Sequence, residues 1–350
     1  MARKALREGL PGIVDVASAA GVSPATVSRY FNAPEKVREA TRNRIASAVN
    51  KLGYVPHAAS ALGPQASGTV GLIVPTIDNA IFAEMIQEFS ITLFRHARTM
   101  LIAAHGYDLA RESILTESLL QHRIDAIALI GLEHTEQTHQ QLGKANIPVI
   151  MLWNYRNRQE HPCIGVDNRD AGKTAVQHLL QLGHKNLLFL LAETRANDRA
   201  ADRRAGALAA VKAAKISAPP NQRIVCPYEI QACKDIVVQA LSQKPRPTAV
   251  FAANDVIAHG ALYAAQSLGI SVPDELSIIG IGDFRGSSSV EPGLTTLRVP
   301  ARRIGRRAAE ALVEMITWPS ASLERDLKFE AELVVRGSTA PPRTRRSSTN

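Results

Sequence analysis

Cysteine is scarce in this 350-residue chain, which contains only Cys163, Cys226 and Cys233. Their number is odd and their spacing fits no zinc-ligand pattern, so we expect reduced thiols of a cytoplasmic protein and no metal site. Long apolar runs are also missing, since no stretch approaches the roughly 18 uninterrupted apolar residues that cross a bilayer. The basic first residues have no apolar segment behind them, so we expect neither a secretion signal nor a membrane partner.

The motifs of nucleotide-dependent enzymes are missing too. The sequence has no GxxxxGK[ST] phosphate loop and no GxGxxG after a first strand, because Gly280-Ile281-Gly282 is too weak a match. Its histidines and aspartates form no recognisable triad pattern, although sequence alone does not exclude one. We predict a protein that is not an enzyme and has no cofactor. A sugar-binding protein or a sugar-active enzyme on the same fold is the alternative.

Excess positive charge is present only at the two ends of the chain. Residues 1–68 contain nine Lys and Arg against four Asp and Glu, and residues 336–350 contain four Arg and no acid. The remaining residues, 69–335, have 28 basic and 28 acidic side chains and are neutral overall. The ends are therefore expected to meet a polyanion, with a merely solubilising surface as the alternative.

The first 55 residues have the pattern of a small helical domain. Apolar residues within 13–20 repeat with helical spacing, and Gly21 ends that helix. Ser23 is a good N-cap, which predicts a second helix over 23–32, and a third is predicted over about 38–52. The pattern indicates a helix-turn-helix, although Gly, Ser and Pro between any two helices look similar.

From Thr69 onward, continuous apolar strands alternate with helices, which is typical of parallel sheets covered on both faces. Two consecutive series of strands predict an α/β core of two doubly wound parallel-sheet subdomains, with a ligand cleft between them. The predicted units are a DNA-binding domain at 1–55, a hinge at 56–68, an effector-binding and dimerisation core at 69–337 and a disordered tail at 338–350. Within the core, the first subdomain is predicted at 69–166 with 298–327, and the second at 167–297 with 328–337.

The second helix of the head presents short or polar side chains for reading DNA. Its predicted exposed positions are Pro24, Ala25, Thr26, Ser28 and Arg29. The Arg29 guanidinium is able to donate two hydrogen bonds to one guanine edge, which gives about 1–3 kcal/mol of discrimination. Thr26 and Ser28 suit phosphate or base contacts.

The run from Val14 to Asn32, VDVASAAGVSPATVSRYFN, resembles the signature of the lactose-repressor (LacI/GalR) family. The resemblance extends through KLGYVP at 51–56, GLIVP at 71–75, DNRDAG at 167–172 and PGLTT at 292–296, and it spans about residues 12–337. It implies a periplasmic-binding-protein-like core and a transcriptional regulator, more often a repressor, whose effector is a sugar or sugar acid. It also implies a homodimer on a pseudopalindromic operator, and the lack of C-terminal leucine heptads favours a dimer over a tetramer.

The same resemblance assigns roles within the head. Pro24, Ala25 and Arg29 fall on base-reading positions, Thr26 and Ser28 fall among phosphate contacts, and Asn32 and Tyr54 add DNA contacts. Leu62 is the candidate for a leucine that wedges into the minor groove. The segment from Pro56 to Leu62 is one residue shorter than is usual in the family, so a plain linker remains the alternative.

Candidate effector-binding residues follow the ends of predicted strands. Asn79 suits a ligand hydroxyl, Phe82 suits stacking on a sugar face, and Asn254 and Asp255 end another strand. Loop capping, or core packing for Phe82, is the alternative role for these side chains. The family resemblance adds Arg203, as an arginine that grips the effector, and Tyr228, near a position that is usually aromatic.

Two departures from the family pattern bear on the ligand. Gly282 stands where the first of two paired carboxylates is common, which leaves Asp283 as the candidate effector contact there, and Trp153, also a candidate contact, stands where another aspartate is common. With both carboxylates missing, the cleft tolerates an anion better, as in the gluconate-regulator branch of the family. The sequence therefore predicts a sugar acid as effector, with Arg203 as its charge partner.

Overall fold

The computed structural model describes residues 12–54, 67–157, 159–318 and 326–343. Leu62 and most of the predicted hinge lie outside these residues. The helices are α1 (Ile13–Ala20), α2 (Pro24–Asn32), α3 (Glu39–Leu52), α4 (Ala80–Arg95), α5 (Leu109–Gln121), α6 (Glu136–Ala145), α7 (Asn168–Gln181), α8 (Asp198–Ala213), α9 (Ile230–Ser242), α10 (Asp255–Ser267) and α11 (Ala301–Thr317). The strands are β1 (Thr69–Val74), β2 (Thr99–Ala104), β3 (Ala126–Ile130), β4 (Val149–Asn154), β5 (Cys163–Val166), β6 (Leu187–Leu191), β7 (Arg223–Val225), β8 (Ala249–Ala252), β9 (Ser277–Gly282), β10 (Thr295–Arg298), β11 (Leu327–Phe329) and β12 (Glu332–Val334).

Helices α1 to α3 form the small helical head that the apolar spacing predicts. Gly21 takes the left-handed conformation, with φ of 62°, which is easy for glycine and turns the chain between α1 and α2. The Ser23 hydroxyl accepts a hydrogen bond from the Thr26 N–H and caps α2. Ala17 and Val27 are buried together with Ile45, so one apolar cluster joins the three helices.

The first core sheet has the order β11-β5-β4-β3-β1-β2, and all of its strands are parallel. Alternate residues of β1 enter opposite apolar clusters, because Leu72 packs on one face of the sheet and Ile73 on the other. Helices therefore cover both faces, as the continuous apolar strands predict. Helices α4 and α11 pack closely against each other beside this sheet.

The second core sheet has the order β12-β10-β9-β8-β6-β7, with β12 alone antiparallel. Helices α7 and α8 pack together, and α9 packs on α10. The predicted class, a helical head followed by two doubly wound parallel-sheet subdomains, is confirmed. None of the helices in the described ranges is long and apolar enough to span a membrane.

The chain passes between the two sheets three times, after β5, after β10 and after β11. Strand β11 pairs with β5 of the first sheet, and β12 pairs with β10 of the second. The last passage therefore lies at residues 330–331, whereas the sequence predicts the boundary after residue 327. Three-residue strands at a sheet edge are too short for their apolar pattern to locate such a boundary.

The prediction of a disordered tail is wrong for residues 338–343. Ser338 is fully buried, and its hydroxyl donates to the main-chain oxygen of Ile278. The oxygen of Ala340 accepts from Ser277 Oγ, and Arg343 pairs with Asp274. Small side chains let this segment continue along the sheet, a contact that composition does not reveal.

Candidate functional sites

Helix α2 presents a small, mostly uncharged surface with one arginine. Pro24, Ala25 and Arg29 are exposed, whereas Val27 points into the core of the head. The alternation follows from the helical period, which places Ala25 and Arg29 one turn apart on the same face. Apart from Arg29, the exposed side chains on this face are short, so the main chain of α2 is able to approach a flat or grooved partner.

The other predicted DNA contacts are less exposed. Thr26 is half-buried, and its hydroxyl lies 2.8 Å from the Ser23 hydroxyl, while Ser28 is also half-buried. Tyr54 is half-buried and packs against Phe31, with 5.9 Å between ring centroids. Tyr54 therefore supports the head core as well as bordering its surface. The Asn32 side chain lies outside the described part of the chain, as Leu62 does.

A cavity with an empty volume of about 230 Å³ lies between the two core subdomains. The first subdomain contributes residues that follow β1 and β2 or end β4, and the second contributes α8 and the residues after β7 and β8. Its lining consists of Asn79, Ile81, Phe82, Tyr107, Trp153, Asn197, Arg199, Arg203, Tyr228 and Asn254. Six of the eight predicted effector contacts thus come together at the carboxyl ends of the strands.

Aromatic rings form two of the walls. Phe82 and Trp153 meet edge to face with 5.0 Å between their centroids. Tyr107 and Tyr228 stack across the cleft, at 6.0 Å and an interplanar angle of 27°. Burial, together with the neighbouring Tyr228, raises the pKa of Tyr107 well above its usual value, so its hydroxyl keeps its proton. These rings offer flat apolar faces and hydroxyl donors to a small ligand.

Arg203 is a buried cation with no carboxylate in direct contact among the described residues. Its Nε donates to Asn168 Oδ1 at 2.8 Å, and its Nη1 donates to the Ala253 oxygen at 2.9 Å. The side chain is only 3% exposed, and within the described chain no carboxylate oxygen lies within 4.0 Å of it. Burial lowers its pKa, because desolvation disfavours the charged form. A buried charge that is bonded only to neutral groups favours an incoming anion.

Two further donors at the cavity lack acceptors. Arg199 Nη1 pairs with Asp198 at 2.7 Å, but its Nη2 is buried and has no hydrogen-bond partner among the described residues. Trp153 Nε1 is likewise buried and unpartnered. No carboxylate is among the described lining residues. The cavity is therefore rich in donors and poor in negative charge.

Two glycines set the position of α8 and hence of Arg203. A side chain at Gly172 would collide with the Arg203 main chain, and one at Gly206 would collide with the main chain of Arg169. Helices α7 and α8 therefore approach each other closely, and the long Arg203 side chain reaches the cavity from this crossing.

Asn79 and Asn254 each have a structural role beside their place in the lining. Asn79 Oδ1 accepts from the Ile81 N–H and caps α4, and Asn254 Oδ1 accepts from the Val256 N–H and caps α10. Both residues thus cap a helix, which is the alternative role predicted for them, and also line the cavity. Each cap uses one lone pair of the amide oxygen, and the Asn79 side chain also hydrogen-bonds Tyr107, so the two amides are only partly available to a ligand.

The prediction that Asp255 and Asp283 contact the effector is corrected, because neither residue is among the described lining residues. Asp255 is fully buried and accepts from Asp283 N, Ser287 Oγ and Thr296 Oγ1. The Asp283 carboxylate pairs with Arg298 and Arg336. Both aspartates organise the segment after β9, and strand-end position alone did not distinguish that role from ligand contact.

Tyr107, Asn197 and Arg199 line the cavity, and sequence reasoning missed them. Tyr107 follows β2 in a left-handed conformation with φ of 60°, and Asn197 caps α8. The same strand-end rule that selected Asn79 applies to both residues. Arg199 has a different signal, since it lies one helical turn before Arg203.

Polar contacts hold the two subdomains together beside the cavity. Asn154 of β4 donates to Asp198 Oδ2 and to Asp202 Oδ2, each at 2.8 Å. Arg156 also pairs with Asp202, and the Leu132 N–H donates to Asp198. Burial opposes the charge of Asp198, but Arg199 and the bonds from Asn154 and Leu132 bring its pKa below the usual value. These contacts belong to the present arrangement of the cleft and would break if the subdomains separated.

Two family models match this chain. Residues 12–57 match the model described as bacterial regulatory proteins, lacI family, and residues 176–339 match the periplasmic binding protein-like domain. A curated relative named HTH-type transcriptional regulator GntR, from Pseudomonas aeruginosa, is 30% identical over 333 residues, with 95% of this chain and 96% of the relative covered. The HTH-type transcriptional repressor PurR of Vibrio atlanticus is 32% identical, with 87% and 91% covered.

Solved structures of transcriptional regulators are also similar to this chain. The transcription regulator GntR from Chromobacterium violaceum is 32% identical with a TM-score of 0.73, over 77% of this chain and 99% of that one. A transcriptional regulator CelR in complex with cellobiose is 25% identical with a TM-score of 0.68, over 94% and 99%. Both similarities include the two-subdomain core.

Proposed function

The chain belongs to the LacI family of bacterial regulatory proteins and is a DNA-binding regulator of transcription. From this premise we propose that its effector is an anion of monosaccharide size, bound between the core subdomains at Arg203. The supporting observation is the buried guanidinium of Arg203, which faces the cavity without a carboxylate partner. An anion in the cavity completes the missing ion pair, and a neutral ligand does not.

The rest of the lining defines the ligand more closely. Arg199 Nη2 and Trp153 Nε1 supply unused donors for carboxylate or hydroxyl oxygens. The rings of Phe82 and Tyr228 supply the apolar faces that a sugar chain packs on. We propose an aldonate or ketoaldonate, which agrees with the similarity to regulators named GntR.

The proposal is tested by calorimetric titration of the full chain with matched acidic and neutral ligands. D-Gluconate has a carboxylate at C1 where D-glucose has its aldehyde carbon and D-glucitol has a primary alcohol, and 2-keto-D-gluconate stands in the same relation to D-fructose. We expect binding of one of the acids and none of their neutral counterparts at the same concentration. Tight binding of a neutral sugar, such as the cellobiose named with CelR, together with no binding of any acid would contradict it.

For the head, we propose that α2 enters the major groove of operator DNA. Arg29 then reads a guanine edge, Ala25 contacts a thymine methyl, and Thr26 and Ser28 contact phosphates. The exposure of Arg29 and the burial of Val27 on the opposite face support this orientation. We further propose a cytoplasmic homodimer, because a pseudopalindromic operator needs two heads at a fixed spacing.

The proposed mechanism is a two-state change of the core. Arg203 and Tyr228 belong to the second subdomain and Trp153 and Phe82 to the first, so a ligand between them favours the arrangement that Asn154 and Asp202 hold together. A change in this arrangement reaches the heads through residues 56–68, and effector and operator affinities are therefore reciprocally linked. We propose that ligand relieves repression. Selection of operator sequences from random DNA, with and without D-gluconate, tests this direction.

A further inference from the structure

His139, Glu160 and His161 meet on the first core subdomain, away from the effector cavity. His139 lies on α6, and the other two precede β5. One ligand atom from each lies within 4.8 Å of the other two, and His139 Nδ1 is 3.7 Å from Glu160 Oε2. The three side chains thus present two imidazole nitrogens and a carboxylate oxygen to one point.

Both imidazoles have a nitrogen without a partner. His139 Nδ1 and His161 Nε2 are buried atoms, and neither has a hydrogen bond within the described residues. A buried polar atom that gives up water without gaining a partner destabilises the folded protein. Two imidazoles that each have an unpartnered nitrogen, and whose ligand atoms lie within 4.8 Å of one carboxylate oxygen, are better explained by a shared partner than by packing.

The donor set fits zinc. Two imidazoles and a carboxylate are a known three-ligand set for Zn²⁺, which leaves the fourth tetrahedral position to water. With metal–ligand bonds of about 2.0–2.1 Å, tetrahedral ligand atoms lie about 3.3 Å apart. The His139–Glu160 distance of 3.7 Å needs only a small adjustment, and Glu160, with its side chain 69% exposed, is free to make it.

The surroundings give access to the site. His139 and Glu160 line a surface cavity together with Glu136, Gln140 and Gly143. The carboxylate of Glu136 adds negative potential near the opening, which attracts a divalent cation. The neighbouring His134 does not compete as a ligand, since its Nδ1 bonds Glu112 and its Nε2 lies 3.3 Å from the Gly131 oxygen.

We propose that His139, Glu160 and His161 bind one Zn²⁺ ion per chain. The ion would fasten α6 to the residues before β5, within the same connection that contains Arg156, the partner of Asp202 across the cleft. No local sequence pattern indicates this site, because the cysteine spacing excludes a zinc ribbon and the two histidines lie 22 positions apart.

The test measures zinc affinity of untagged, chelator-treated full chain by competition with a chromophoric indicator. We expect one zinc ion per chain in the wild type and at least about tenfold weaker binding in His139→Ala and in His161→Ala. His122→Ala is the matched control, because His122 is exposed on the same subdomain and bonds only the Ser118 oxygen of its own helix. The control should bind zinc like the wild type.

A second readout identifies the ligands. Co²⁺ in place of Zn²⁺ should give the visible absorption of a tetrahedral site in the wild type and in the control, and lose it in His139→Ala. Glu160→Gln, a change at an exposed side chain, covers the case in which a histidine variant does not fold, and it too should weaken binding. Equal zinc affinity in wild type, Glu160→Gln and the folded histidine variants would overturn the proposal, as would no stoichiometric binding in the wild type.

Discussion

Arg29 of the head and Arg203 of the core are the arginines proposed to bind DNA and the effector, but they stand in opposite environments. Arg29 is exposed on α2, whereas Arg203 is 3% exposed and is bonded to an amide oxygen and a main-chain oxygen. Water stabilises the first charge before any ligand arrives. Hydrogen bonds to neutral groups and the more distant Asp255 carboxylate stabilise the second, so the free protein holds it at a cost.

This difference teaches what kind of recognition each region supports. The exposed cations of the head gain little from any single phosphate and act through counter-ion release, so their contribution to DNA binding falls steeply with salt. A buried cation is screened little by salt, and it discriminates strongly between ligands that do and do not bring a charge. The head is thus suited to a long polyanion and the cleft to one small acid.

The largest effect is expected from Arg203→Met. Removing one partner of a buried, hydrogen-bonded charge pair costs about 2–5 kcal/mol, so acid binding should weaken at least about 30-fold. Operator binding without ligand should remain. Calorimetry with the best-binding acid measures the loss, with Lys212→Met, an exposed change on the same helix, as control. If a folded Arg203→Met protein bound the acid as tightly as the wild type, Arg203 would not be the charge partner of the effector.

A smaller effect is expected from Arg29→Ala. Loss of a bidentate guanine contact costs about 1–3 kcal/mol of discrimination, so the ratio of operator to random-DNA affinity should fall about 5- to 150-fold. Lys51→Ala, an exposed change at the end of α3, should lower the operator and random-DNA affinities together and leave their ratio unchanged. Band-shift titrations at two salt concentrations separate these outcomes. If Arg29→Ala kept the wild-type ratio of operator to random-DNA affinity, a residue other than Arg29 would read the bases.

The third effect is on stability rather than on binding and concerns Asp255, a fully buried acid beside the cleft, whereas the described acids of the head are exposed. Burial raises its pKa to about 6, despite the bonds from Thr296, Ser287 and the Asp283 N–H. Because the folded pKa is above the unfolded value, this contribution to stability is full below about pH 4 and is lost as pH rises through about 6.

Asp255→Asn mimics the protonated acid, since an amide is able to donate to Thr296 and still accept from the other two groups. The wild type should lose roughly 2–3 kcal/mol of stability relative to this variant between pH 4 and pH 7. Urea unfolding at both pH values measures this difference, with Asp235→Asn, at an exposed acid, as the control. Parallel pH profiles of the Asp255→Asn variant and the wild type would contradict the expected shift.

The head was the more predictable region. Its helices follow from apolar spacing, the Ser23 cap and the Gly21 turn, all of which are local signals. Helix α3 begins at Glu39, one residue later than the approximate boundary. Tyr54 was harder, because its contact with Phe31 joins residues far apart in the chain.

The cleft was predictable only in part. Strand-end position located Asn79 and Asn254, but it also selected Asp255, whose carboxylate turns inward to three donors. Arg199 was missed because its partner Asp198 makes it look like an ordinary surface pair in sequence. The ordered tail and the His139–Glu160–His161 cluster depend on contacts between distant segments, which no local pattern encodes.

The most direct test of the link between the two regions is operator affinity measured with and without D-gluconate, for the full chain at one salt concentration. For the wild type we expect saturating ligand to weaken operator binding at least about fivefold, the lower range of allosteric coupling. Arg203→Met should bind operator equally well in both conditions. An operator affinity that does not change in the wild type while calorimetry shows the acid bound would contradict the coupling between cleft and head.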